Sequence, residues 1–199
     1  VLFVANRTPC ISKVTVDQEF IHEFGRNGEF VFLSGLALDQ AQNLYASDEW
    51  QNRITVFDND GNLLRTWGEE GDGPGQLSGA TGLTFDSDDN IWVVNGLNSR
   101  IQKFTKDGVY IGGFGVKGGG PGELDMPWGI TIDNNGDVYV ADWNNHRVQK
   151  FNPDGELLLT FGSGRNTGVA TDGTTPYANA LVQDIGVDPN DLNHPADVA

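Results

Sequence analysis

Gly35-Leu36-Ala37-Leu38-Asp39 recurs as Gly82-Leu83-Thr84-Phe85-Asp86 and again as Gly129-Ile130-Thr131-Ile132-Asp133, each copy 47 residues after the last. The same step carries Arg53 to Arg100 and Arg147, Phe57 to Phe104 and Phe151, and Gly61 to Gly108 and Gly155. Gly68, Gly115 and Gly162 complete the register without a gap. A fixed period of this length marks a repeat architecture, in which each unit buries its apolar faces against its neighbours.

Each unit reads as four short strands. The first is the quoted segment; the second is Asn43–Ser47, Asn90–Val94 or Asp137–Ala141. The third is Ile54–Phe57, Ile101–Phe104 or Val148–Phe151, and the fourth is Asn62–Trp67, Val109–Phe114 or Glu156–Phe161. β-branched and aromatic residues fill them, and Asp-Gly or Asn-Gly turns part them. Ile91-Trp92-Val93-Val94 is apolar on both faces and needs cover above and below. Four-stranded sheets stacked around an axis supply that cover. No apolar period of 3.6 survives the Gly and Asp punctuation, so no helix of useful length is predicted. The expected fold is therefore all-β: a β-propeller of four-stranded antiparallel blades.

The organisation follows. A headless partial blade spans 1–25, complete blades span 35–68, 82–115 and 129–162, an inserted loop spans 163–194, and 195–199 begins a further blade. The insertion exceeds the period by 21 residues and is expected to cover part of the channel mouth. Sixteen strands, four blades' worth, fit either a closed four-bladed ring or a piece of a longer one. The starts and stops within strands favour the piece.

Composition narrows the function. The 199 residues include 12 Lys+Arg and 28 Asp+Glu, a formal net charge of −16. That balance opposes nucleic acid and anionic lipid, which want a basic face. No apolar run is long enough to span a membrane as a helix. Cys10 is the single cysteine, so neither an internal disulfide nor a thiolate metal cluster is expected. Val1-Leu2-Phe3-Val4-Ala5-Asn6 shows no basic run, and no signal peptide is read there. Low Lys with abundant Asp favours a saline or extracytoplasmic setting, leaving localisation open.

Pro127-Trp128-Gly129-Ile130-Thr131-Ile132-Asp133, Gly136-Asp137-Val138-Tyr139-Val140-Ala141-Asp142 and Asn145-x-Arg147-Val148-Gln149-Lys150-Phe151 follow one another, and Asp154-Gly155 closes the unit. With the linker Gly118-Gly119-Gly120-Pro121-Gly122-Glu123-Leu124, this pattern resembles the NHL-repeat β-propeller family. The resemblance covers nearly the whole chain and implies a ring that is usually six-bladed. It specifies a platform and leaves the chemistry to the loops. The sequence departs from the pattern at Asn95, which replaces the Asp of Asp48 and Asp142, and at Cys10, which stands in the Arg column.

Two faces are expected. First-to-second and third-to-fourth hairpins make a tight acidic face; second-to-third loops and blade-to-blade linkers make a face of longer, varied loops. Ligands are assigned to the linker face at the channel mouth. Its candidates are Trp50, Trp128 and Trp143, whose rings could stack on a ligand or cover blade edges, with His146, His194 and Asp197. The recurring Asp48/Arg53, Asn95/Arg100 and Asp142/Arg147 pairs read as structural, each acid ordering the second-to-third loop. Asp58-Asn59-Asp60-Gly61 resembles the start of a calcium loop, yet its Gly comes too early and no Glu closes it. The Gly-rich linkers lack the Lys-Ser/Thr pair of a phosphate loop.

The resulting expectation is a non-catalytic binding or scaffold module for a protein, peptide or glycan, with no catalytic residue and no cofactor assigned. The alternative is a metal-dependent lyase or hydrolase, similar to peptidyl-hydroxyglycine lyase. It would hold Zn, or less readily Ca, near His146, His194 and Asp197.

Overall fold

The computed structural model describes residues 1–6 and 9–162. Four antiparallel sheets follow one another along the chain, each joined in sequence order. The first has three strands, β1 (Leu2–Ala5), β2 (Ile11–Val14) and β3 (Phe20–Phe24). The next three are complete blades. They comprise β4 (Leu33–Leu38), β5 (Leu44–Asp48), β6 (Arg53–Phe57) and β7 (Leu63–Trp67); β8 (Ala80–Phe85), β9 (Ile91–Asn95), β10 (Arg100–Phe104) and β11 (Tyr110–Phe114); and β12 (Pro127–Ile132), β13 (Val138–Asp142), β14 (Arg147–Phe151) and β15 (Leu157–Phe161). The only helical pieces among the described residues are single 3₁₀ turns at Gly96–Asn98 and Trp143–Asn145. The expected inserted loop and the start of a further blade lie outside the described residues.

The first strands β4, β8 and β12 begin two residues earlier than the repeated motif. Each carries a register irregularity around its Gly, between Leu33 and Gly35, Ala80 and Leu83, and Pro127 and Ile130. The reason is crowding between blades. A Cβ on Gly82 would lie 2.6 Å from the Trp128 carbonyl oxygen and 3.0 Å from the Gly129 Cα. A Cβ on Gly35 would lie 2.6 Å from the Thr81 carbonyl oxygen. The inner strands of successive blades thus touch backbone to backbone, and only Gly allows that approach.

Between blades the middle strands pack their apolar faces together. Tyr45, Ile54 and Val56 of one blade meet Ile91, Val93 and Phe104 of the next. Trp92, Val94 and Ile101 likewise meet Ile130, Val138, Val140 and Phe151. A linker residue plugs each seam. Leu77 and Leu124 are fully buried, and Phe30, at the same repeat position, packs with Ile11, Phe24 and Phe57. Burying one such side chain contributes about 1.5–3 kcal/mol.

The acidic hairpin face is tied to this core. Lys103 lies 5.0 Å from the centre of the Trp92 ring and pairs with Asp86 at 2.8 Å; the Trp92 indole donates to the same carboxylate. Lys150, Tyr139 and Asp133 repeat the set. In the blade holding β6 the Lys position is Val56, and Arg65 of β7 supplies the cation over Tyr45. Burial pushes the Tyr45 hydroxyl up to about 12. In the turns, Asp58 Oδ1 accepts from the Asp60 and Asn62 amides, so this carboxylate serves its own hairpin.

Two outcomes test this packing. Gly82→Ala should cost about 1–3 kcal/mol through overpacking, whereas Gly112→Ala should be neutral, since nothing lies within 4 Å of its would-be Cβ. Equal melting temperatures for both variants would refute the tight inner-strand contact. Acid titration tests the Lys–aromatic–Asp set. Burial pushes Asp86 up, but hydrogen bonds from Lys103 and Trp92 more than offset it and leave the carboxyl below its usual range. A lowered folded pKa stabilises above the unfolded value of about 3.9 and is lost as pH falls through the folded value. Asp86→Asn should therefore lower stability near pH 6 and flatten its decline below about pH 4, measured by urea unfolding.

Candidate functional site on the linker face

The linker face is held by one recurring network. At the end of each second strand stands Asp48, Asn95 or Asp142, each fully buried and paired in register with the Arg that opens the third strand. The acid or amide reaches back to the linker that enters its own blade. Asp48 accepts from the Val31 and Phe32 amides, Asn95 from Ser78 and Asp142 from Asp125. The Arg side chains grip linker carbonyls. Arg53 donates to Glu29, Arg100 to Asp72, Gly73 and Gln76, and Arg147 to Gly119, Gly120 and Glu123. Gln102 and Gln149 add a bond in each direction, accepting from the Gly75 and Gly122 amides and donating to the Gln76 and Glu123 carbonyls.

The linkers, more than the second-to-third loops, are what these pairs order. Asp48 does cap its own loop through the Trp50 and Gln51 amides. The direct ion pair occurs only at Asp142 and Arg147, 2.7 Å apart, among the three. Where Asn95 replaces the acid, Arg100 turns wholly to carbonyls, so the position needs a hydrogen-bonding group and not a charge. The left-handed backbone of His146, φ 51°, is likewise a repeat feature shared with Asn52 and Ser99.

On this frame the predicted aromatic residues separate into two pairs. Trp50 is 67 % exposed and stacks on Phe32 with ring centres 5.6 Å apart and planes 14° apart. Trp128 meets Trp143 at 5.7 Å, both half-buried. His146 lies in the loop beside Trp143 and is half-buried. His194 and Asp197 lie outside the described residues. Among the described residues no three His, Cys, Asp or Glu side chains converge as a metal site would require.

A shallow depression, open to solvent, lies where three blades meet. Its lining includes Glu49, Thr81, Leu97, Met126, Pro127 and Trp128. Glu49, Phe32, Leu97 and Met126 escaped the reading of the sequence. Their signal was variation inside the repeat: Glu49 shares its column with Gly96 and Trp143, and Phe32 with Gly79 and Met126. Glu49 is half-buried, and its Oε2 is shielded from solvent with no hydrogen-bond donor. Burial, reinforced by the Asp48 carboxylate, pushes the Glu49 carboxyl up, against the opposing Ser34 hydroxyl.

Comparison with known proteins agrees with this architecture. Residues 124–151 match the NHL repeat. None of the curated proteins matches the sequence. Among solved structures, a Bacteroides thetaiotaomicron protein of unknown function is 20% identical, with a TM-score of 0.63 over 80% of this chain and 44% of its own. The catalytically inactive virginiamycin B lyase of Staphylococcus aureus with quinupristin is 16% identical, with a TM-score of 0.59 over 80% of this chain and 54% of its own. The glutaminyl cyclase of Myxococcus xanthus is 18% identical, with a TM-score of 0.57 over 77% and 62%. The chain spans about half the length of these structures, and at such identities the likeness concerns the fold.

Removing the Arg147 grip tests the frame. Arg147→Ala leaves Asp142 buried without its ion-pair partner and frees the Gly119 and Gly120 carbonyls, while Gln149 still holds Glu123; the loss should be about 3–5 kcal/mol. The expected result is a melting temperature lowered by several degrees; an unchanged one would show that the linker holds itself.

Proposed function

We propose that this NHL-repeat β-propeller chain is a non-catalytic binding module that presents its linker face to a protein, peptide or glycan. The observation that carries the reading is the pair of aromatic clusters, Phe32 with Trp50 and Trp128 with Trp143, on one face. The repeat does not demand them. The blade between holds Gly79 and Leu97 where the first holds Phe32 and Trp50, and Thr81 and Gly96 where the third holds Trp128 and Trp143. Trp rings held on a rigid frame, Trp50 exposed and Trp128 and Trp143 half-buried, offer contact area at small entropic cost, and Trp is enriched among residues that dominate binding energy.

The test is selection of a displayed peptide library, and screening of a glycan array, against the full chain and a Trp50→Ser/Trp128→Thr variant. Both replacements favour small polar groups at ring positions, Thr because Thr81 occupies the equivalent site. Ligands selected by the parent should lose at least about ten-fold in affinity, a loss of about 1.4 kcal/mol, with the melting temperature little changed. Ligands that bind both proteins equally would remove the aromatic clusters from the function.

The second reading, a metal-dependent lyase or hydrolase around His146, His194 and Asp197, draws support from the enzymes among the structural neighbours. One Zn per chain, retained after dialysis and lost in His146→Ala, would favour it over the binding module.

A further inference from the structure

We propose that an amphipathic α-helix of a partner protein, its apolar stripe bordered by Lys and Arg, lies across the linker face from Trp50 over Leu97 to Trp128. The inference rests on the linker face being a binding surface and names the kind of segment it binds.

The surface comes first. Phe32 stacks on Trp50 in one complete blade, and Trp128 meets Trp143 two blades on. The blade between carries Leu97, 55 % exposed, at the repeat position of Trp50. These parts adjoin: the Glu49 amide donates to the Phe32 carbonyl, and Glu49 lines one depression with Leu97, Met126 and Trp128. An apolar band therefore runs over three blades. The depression within it holds only about 10 Å³, room for about one water. Gly79 and Gly96 stand where the first complete blade has Phe32 and Glu49, and they keep the middle of the band low. A surface this shallow encloses no small molecule. It suits an apolar stripe laid upon it.

The backbone decides the form of that stripe. An extended peptide docks where a free strand edge offers it main-chain hydrogen bonds. The linker face consists of straps and loops, and strap amides and carbonyls are spent on Asp48, Arg100, Gln102 and Arg147. A helix satisfies its own backbone and presents anchors at i, i+3 or i+4, and i+7. Among the described residues the chain has no helix beyond single 3₁₀ turns, so the occupant is assigned to another protein.

Charge decides the borders. Glu49 precedes Trp50, Asp125 precedes Met126, and residues 27–52 include no Lys or Arg. Glu69, Glu70 and Asp72 are exposed in the neighbouring linker. The nearby cations are engaged: Arg26 pairs with Glu23, while Arg53, Arg100 and Arg147 turn onto linker carbonyls. Lys and Arg along the helix match this acidic surround, and the net charge of −16 steers in the same direction.

The experiment titrates the ¹⁵N-labelled full chain with a capped Leu/Lys peptide of about five helical turns, Leu at i, i+3, i+4 and i+7. The comparison peptides carry two central Pro, or Glu in place of Lys. The salt is about 0.15 M, which screens attraction beyond about 8 Å. The Leu/Lys helix should shift the Leu97 amide and the Trp50 and Trp128 indole signals saturably, at least ten-fold more tightly than either comparison peptide. Leu97→Asn, chosen because Asn144 holds the equivalent position, should weaken it at least ten-fold at an unchanged melting temperature. Equal binding of the Pro peptide would overturn the helix, and equal binding of the Glu peptide would overturn the charge match; both leave the face a binding surface. A response that ignores Leu97→Asn, or shifts confined to the acidic hairpins, would overturn the docking site. If no helix shifts these signals while library peptides or glycans do, the helix fails and the binding face stands; if nothing does, both fail.

Discussion

Each blade is held to the one before it by a strap of backbone, and the strap is held by side chains of the blade it enters. The Asp or Asn that ends the second strand accepts linker amides; the Arg that opens the third donates to linker carbonyls. Gln102 and Gln149 do both. The Asp, Asn and Gln side chains of this set and Arg147 are buried, so their hydrogen bonds exchange poorly with water and an unmade one would be costly. The linker cannot form a ladder of its own, since it is rich in Gly and carries only the short bridges Glu70 to Leu77 and Lys117 to Leu124. Side chains therefore satisfy what secondary structure leaves open. The fastened linker then delivers Leu77 or Leu124 into the seam between blades.

This arrangement separates scaffold from site. The positions that recur, Arg53, Arg100 and Arg147 among them, are consumed by the frame. The positions that vary beside them, Glu49, Trp50, Leu97, Trp128 and Trp143, are delivered to the same face by a backbone that does not depend on their identity. A propeller can thus exchange loop chemistry without losing its fold, which is why a fold by itself does not fix a function.

Much was legible beforehand. The 47-residue step announced four strands per unit, and the structure forms them with shifts of one or two residues at their ends. Hairpin turns were legible because Asp-Gly and Asn-Gly are local signals. The Asp142/Arg147 pairing was legible as a recurrence, but its real object, the linker upstream, was not. A spacing of five residues points to the loop between them, while the bonds run to residues 17 to 28 positions away. The aromatic candidates were found by composition, and their grouping was not: Trp50 joins Phe32, a residue that reads as ordinary linker.

The sequence by itself determined the repeat, the strands, the turn chemistry and the acidic balance, because these depend on residues near one another along the chain and on their period. Tertiary structure alone decided which residues meet at the linker face. Glu49, Leu97 and Trp128 belong to three different blades, and they line one depression because Gly35 and Gly82 let the inner strands pack backbone to backbone. The backbone contact is what brings side chains so far apart in sequence to one place on the face.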